Sequence, residues 1–125
     1  MDIAYAVDTR VVYPLKAGQT VAKGEPLSVD TTTNTVQKMP AGTGLTFVGI
    51  ALDTYTNAPS GTSIQVIRRG VITVPFTGSL PSNWLGALLY WNGSQYTFTS
   101  TGNTAVGRVI AVDGNNARIV IQPVV

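Results

Sequence analysis

The chain contains no cysteine and no histidine. No disulfide framework, thiolate nucleophile or zinc cluster is open to it, and Ser-His-Asp and Cys-His catalysis fail for want of the general base. Charge is scarce as well. Six acids and eight bases leave a net +2, and charged residues make up only 11% of the chain. Thr, Ser, Asn and Gln must therefore supply most of the polar surface. No apolar run approaches the ~20 residues of a membrane helix. The N-terminal MDIAYAVDTR has neither a basic n-region nor a long apolar core, so it does not read as a signal peptide. The only adjacent basic pair is Arg68-Arg69, which reads as a solvated strand edge and makes a poor nucleic-acid footprint. Neither nucleic acid nor membrane is an expected partner.

What is present is β-forming. The 125 residues suit one domain. Gly and Pro interrupt nearly every window, and the apolar runs are rich in Val, Ile, Thr and aromatics. Strands are predicted at Arg10–Pro14, Pro26–Val29, Thr35–Lys38, Leu45–Asp53, Ser63–Arg68, Val71–Pro75, Ala87–Trp91, Gln95–Thr99, Val106–Asp113 and Ala117–Gln122. Turns separate them at Lys16–Gly18, Thr31–Asn34, Asn57–Gly61, Asn92-Gly93 and Gly114–Asn116. The one helix candidate, Ser82–Leu89, is weakened by Gly86 and amounts to a turn at most. Frequent short strands and turns imply an all-β fold, a small β-sandwich or barrel with little or no helix.

The sequence also repeats itself at a spacing of about sixty residues. VYPLKAG, GEPLSVD, VGIALD and SIQVI are answered in order by TVPFTG, GALLYWN, VGRVIAVD and ARIVI. Pro14-Leu15 with Gly18 matches Pro75-Phe76 with Gly78. Gly24 precedes Leu27 as Gly86 precedes Leu89, and Val48-Gly49 matches Val106-Gly107. The expected organisation is an N-terminal arm over residues 1–9 and one domain over 10–125, built from pseudo-repeats at about 10–68 and 70–122.

Within LLYWNGSQYTF, Asn92-Gly93 predicts a two-residue hairpin turn pairing Trp91 with Ser94 and Leu89 with Tyr96. One face then carries Leu89, Trp91, Tyr96 and Phe98. The repeat places Leu27 and Val29 where Leu89 and Trp91 sit, which favours a core role for that face. The alternative is a ligand platform built from Trp84, Tyr90 or Trp91. Val109–Val112 and Ile119–Ile121 do not alternate cleanly. Continuous apolar runs imply burial on both faces, so Val109, Val112 and Val120 are expected to meet another subunit. Ile3, Tyr5 and Val7 alternate with smaller or polar residues, as in a strand able to add to a neighbour's sheet edge. GQTVAKG lacks the Lys-Ser/Thr of a P-loop and reads as a turn. Asp53 and Asp113 each close an apolar strand and read as turn residues rather than a catalytic dyad. No catalytic, metal or cofactor site is predicted.

The order KAGQTVAKGEPLSVD, VGIALD, RRGVITVPF, LLYWNGSQYTFTSTGNTAVGRVIAVDG and ARIVIQPVV resembles the capsid cement, or head decoration, proteins of tailed bacteriophages. The matching segments are Ala22–Leu27, Gly70–Pro75, Gly86–Asn92 and Gly102–Ala111, and the likeness runs from about residue 10 to 122. The loops Thr31–Thr43 and Asp53–Thr62 are longer than the family pattern. The resemblance implies a tulip-like all-β fold and a non-enzymatic structural protein without cofactors. It further implies a homotrimer on the outer surface of the virion capsid, bound to the major capsid protein.

Overall fold

A computed structural model describes residues 9–121 and Pro123. Ten strands follow one another: β1 (Thr9–Pro14), β2 (Pro26–Asp30), β3 (Thr35–Lys38), β4 (Phe47–Ala51), β5 (Ser63–Arg69), β6 (Val71–Thr77), β7 (Leu88–Trp91), β8 (Tyr96–Thr97), β9 (Thr104–Asp113) and β10 (Asn116–Ile121). No helix occurs among the described residues, and Ser82–Gly86 forms successive turns. The fold is all-β, as the turn spacing predicts. Thr9 already pairs with Arg69 as the first residue of β1, while the rest of the predicted arm lies outside the described residues.

The strands sort by halves. The first five form a sheet in the order β1-β5-β4-β2-β3, and the last five form a closed barrel in the order β10-β6-β8-β7-β9. Read around the barrel from β6, the second order is β6-β10-β9-β7-β8, the same path taken one repeat later. The barrel closes where β6 and β8 run parallel, through Phe76↔Tyr96 and Thr77↔Thr97. The corresponding seam of the first half is held by the single parallel bridge Leu15↔Val36, with Lys16 N–H donating to Val36 O at 2.9 Å.

The likeness extends to register. Tyr13↔Ile64 and Pro14↔Ser63 correspond to Val74↔Ala117 and Pro75↔Asn116. Leu27↔Gly49 is followed by a register shift at Leu27/Ser28, and Leu89↔Gly107 by one at Leu89/Tyr90. Leu15 N–H donates to Thr62 O at 2.8 Å, and Phe76 N–H to Asn115 O at 2.8 Å. Gly24 N–H donates to Ala51 O at 2.9 Å, and Gly86 N–H to Val109 O at 2.8 Å. Gly49 and Gly107 mark why both bulges keep glycine. A Cβ on Gly49 would run into the carbonyl oxygen of Ile67, and one on Gly107 into that of Val120, its structural counterpart. Only a residue without a side chain lets the two backbones approach so closely.

Each half fills its own interior. Leu15, Leu27, Val48, Ile64 and Val66 pack inside the first. Their counterparts Phe76, Leu89, Val106, Ala117 and Ile119 pack inside the second. The second core also takes in Met39, Phe47, Ile50 and Ile67 from the first half. Through these residues the two halves share one core. Trp91 Nε1 donates to Met39 O at 2.7 Å, and Thr104 Oγ1 to Gly42 O at 2.8 Å.

Two local expectations are corrected. The Asn92-Gly93 turn is longer than a two-residue hairpin. Trp91 pairs with Tyr96, and Tyr90 with Thr97. Asn92 Oδ1 accepts from the backbone N–H groups of Ser94 (3.0 Å) and Gln95 (2.8 Å), and this side-chain cap takes the place of the two-residue turn. Gly93 keeps a φ of 100°, but Asn92 is not among the residues of positive φ. The slip is two residues, an even number, so Leu89, Trp91 and Tyr96 still share the predicted face. The second correction concerns β9. Its broken alternation arises from a bulge at the register shift opposite Arg118/Ile119, which turns both Ile110 and Ala111 outward. Burial on two faces is not its cause, and β10 alternates cleanly.

Candidate functional site

The residues expected to form an interface fall into three environments. Val109 is 0% exposed and belongs to the core of the second barrel, so it cannot meet a partner. The bulge explains the error, because it is Ile110 rather than Val109 that faces out. Val112 is half-buried against that core. Val120 is 36% exposed. Ile3, Tyr5 and Val7 lie outside the described residues.

Around Val120 the outer face of β6, β10 and β9 gathers exposed apolar side chains. Val120 pairs directly with Val71 on one side and Arg108 on the other, which places all three on one face. Arg118 pairs with Thr73 and Ala111 on that face. Ile110 projects beside them at the bulge, 43% exposed. Next to β9 runs the turn preceding β7. Val109 N–H donates to Ala87 O at 2.9 Å, and the Arg108 guanidinium donates to Gly86 O at 2.8 Å. This turn carries Leu85, 70% exposed. The result is a mostly apolar patch crossed by Arg108 and bordered by Arg118, and apolar side chains with interspersed arginine suit a protein interface. Sequence reasoning missed Leu85, Ile110 and Val71. For Leu85 a signal existed: an unpartnered large apolar residue at the repeat position of Lys23.

The aromatic platform residues are dispersed. Trp91 is 2% exposed, packed edge-on against Tyr96 at 4.8 Å between ring centroids, and its indole N–H is already used. It is a core residue and offers no ring face to a ligand. Trp84 is half-buried against the same core. Tyr90 alone lines an open hollow of about 590 Å³, with Leu88, Phe98 and Arg108.

A groove of about 420 Å³ lies where the halves meet, lined by Lys23, Glu25, Pro75, Trp91, Gln95 and Tyr96. Here the Lys23–Glu25 turn of the first half rests against the β6/β8 seam of the second. Tyr96 Oη donates to Gly24 O across that contact. Burial, and secondarily the Glu25 carboxylate, push the Tyr96 hydroxyl well above the ordinary tyrosine range, so it stays a protonated donor. Lys38 joins Glu25 at 3.1 Å and lies 6.0 Å from the Trp91 ring centroid. The ion pair lies within the first half, while the Lys38–Trp91 and Tyr96–Gly24 contacts cross to the second.

Glu25, Asp30 and Asp53 do structural work. Asp53 Oδ2 accepts from Gln65 N–H at 3.1 Å. Asp113 closes β9 opposite Asn116. Asp30 holds the following turn through Thr32 and Thr33 and pairs with Lys16 at 2.9 Å. The Lys16 ammonium, and then the Thr33 hydroxyl, hold the Asp30 carboxyl below the usual range. Among the described residues no three His, Cys, Asp or Glu side chains gather as a metal site would need. No protein-family model matches the chain, and no curated protein matches it.

Proposed function

We propose that this chain is a capsid decoration protein, which binds the outside of a mature bacteriophage head and stabilises the shell by bridging major capsid protein subunits. The observation that carries the reading is the outward apolar face of the second barrel, Val71, Ile110 and Val120 beside Leu85, a surface that self-association into the proposed homotrimer covers, on a chain whose acids Glu25, Asp30 and Asp53 are engaged in turns and ion pairs. A bridging protein works through buried area and main-chain contact, and it needs a rigid body to present them. Two welded halves supply that body. The four segments that carry the family resemblance cover the turn into β2, the first part of β6, β7 with the turn before it, and most of β9 with its approach.

The proposed assembly is a homotrimer seated at three-fold or quasi-three-fold sites. Binding only the assembled lattice stabilises it by mass action, about 2.7 kcal/mol per site when free protein stands at about a hundred times its Kd. The test is the melting temperature of expanded empty heads with and without saturating protein. A rise that saturates with occupancy supports the role, and unchanged melting at full occupancy refutes it. A second reading, a carbohydrate-binding module, is favoured only by Tyr90 in its open hollow. Saturable quenching by host glycans that disappears in Tyr90→Ala would favour it.

A further inference from the structure

The repeat makes one contact within the chain that is left open at both ends. The donor surface of the first half is the Lys23–Glu25 turn together with Ile50, Leu52 and Ile67, all packed against the second barrel. The acceptor is the second barrel's β6/β8 seam, where Tyr96 reaches Gly24. The repeat register assigns a counterpart to each. On the second barrel the donor positions are the Leu85–Ala87 turn with Arg108, Ile110 and Val120. These are the residues of the exposed patch, and Ile110 and Val120 stand where Leu52 and Ile67 are covered. On the first half the acceptor is the β1/β3 seam, held by one bridge. A groove of about 270 Å³ opens there, lined by Tyr13, Val29, Asn34, Val36 and Arg68. Val29 and Val36 stand where Trp91 and Tyr96 do. Arg68 Nε is buried beside them with no hydrogen-bond partner among the described residues.

We infer that the occupant of this seam is a second copy of the chain. Its Leu85–Ala87 turn docks against β1 and β3 of its neighbour, with Ile110 and Val120 covering the flank, as Lys23–Glu25, Leu52 and Ile67 do within one chain. Arg68 replaces Tyr96 as the donor that reaches the backbone of the incoming turn. The contact is head-to-tail: donor and acceptor are different surfaces on opposite halves. Such a heterologous contact generates a ring when its rotation closes, and each copy adds both of its halves to it. The inference rests on the foregoing reading only in that the chain self-associates. Its test uses no capsid, so the two fail separately.

The native chain has no cysteine, which allows a clean cross-linking experiment. Leu85→Cys and Thr35→Cys are purified separately, mixed, and treated with a short bis-maleimide. The contact predicts a covalent heterodimer in the mixture well above the like-with-like products. Leu85→Asp, at a position 70% exposed, is predicted to sediment as a monomer under conditions where the native chain sediments as a multimer. Its far-UV spectrum and melting as a monomer remain native. Predominant like-with-like products, two copies of the Leu85→Cys variant or two of the Thr35→Cys variant joined to each other, would replace the head-to-tail contact by a symmetric one and overturn the inference. So would a native chain that is monomeric at high concentration. A Thr35→Cys thiol that reacts with maleimide only after residues 2–8 are deleted would show that the chain's own N-terminal segment fills the seam, which also overturns it.

Discussion

Trp91→Phe severs the joint between the halves at one hydrogen bond while keeping an aromatic ring in place. The indole is 2% exposed, and its N–H donates at 2.7 Å to the carbonyl of Met39, itself 0% exposed. Two losses follow. The Met39 carbonyl is left buried without that donor, which costs about 1–3 kcal/mol. The smaller ring leaves a void against Tyr96 and Met39, which adds on the order of 1 kcal/mol. The expected destabilisation is about 2–4 kcal/mol, a large part of the ~5–15 kcal/mol typical of a domain. At roughly 3–5 °C per kcal/mol for a chain of this size, the melting midpoint falls by about 6–20 °C. Urea titration followed by far-UV circular dichroism reads the loss directly. Trp84 remains as the only tryptophan and reports the second barrel independently by fluorescence. A change below about 0.5 kcal/mol, within the range of ordinary surface substitutions, would refute the argument, because the indole could then be neither buried nor bonded as described.

Gly49→Ala and Gly107→Ala, each forcing a Cβ into a facing carbonyl, should each destabilise by about 1–3 kcal/mol or more; a tolerated Ala at either, measured by urea midpoint, would contradict the paired bulges. Gly93→Val should cost about 1–3 kcal/mol, since Gly93 has φ 100° and a Cβ there meets Ala41 N at 2.9 Å; an unchanged midpoint would count against that packing. Tyr96 carries the alkaline limit. Its hydroxyl pKa is raised in the fold, so its contribution is fully present below the unfolded value of about 10 and is lost as pH rises beyond it. Native protein should therefore lose stability above about pH 10 more steeply than Tyr96→Phe, and parallel pH profiles would refute the assignment.

The strands were legible because their causes are local. β-branched and aromatic runs bounded by Gly, Pro and Asn place all ten, with ends off by two residues at β4, β6, β8 and β9. The repeat was legible too, through the Pro-apolar and Val-Gly pairs, and Pro14 and Pro75, like Gly49 and Gly107, occupy matching registers. The failures have local physical causes that composition hides. Asn92 spends its side chain capping the loop, so Asn-Gly does not make the tight turn it ordinarily signals. The β9 bulge rotates Ile110 out and leaves Val109 in, which a period-two reading of four apolar residues cannot separate. The Trp91–Met39 and Tyr96–Gly24 bonds join residues 52 and 72 positions apart. No short-range pattern points to them. The exposed patch depends on the same bulge and on the fold of both halves; Val120 is reached through its apolar run and Leu85 leaves a trace at the repeat position of Lys23, but nothing singles out Val71 or Ile110.

The proposed role requires recognition of an assembled, expanded shell. Purified protein is mixed in parallel with expanded empty heads, unexpanded precursor shells and isolated subunits of the cognate major capsid protein, and bound protein is measured after sedimentation. Saturable binding to expanded heads is expected, one assembly per three-fold or quasi-three-fold site, with little to precursor shells and none to free subunits. Equal binding to free subunits, or no binding to expanded heads, would contradict it.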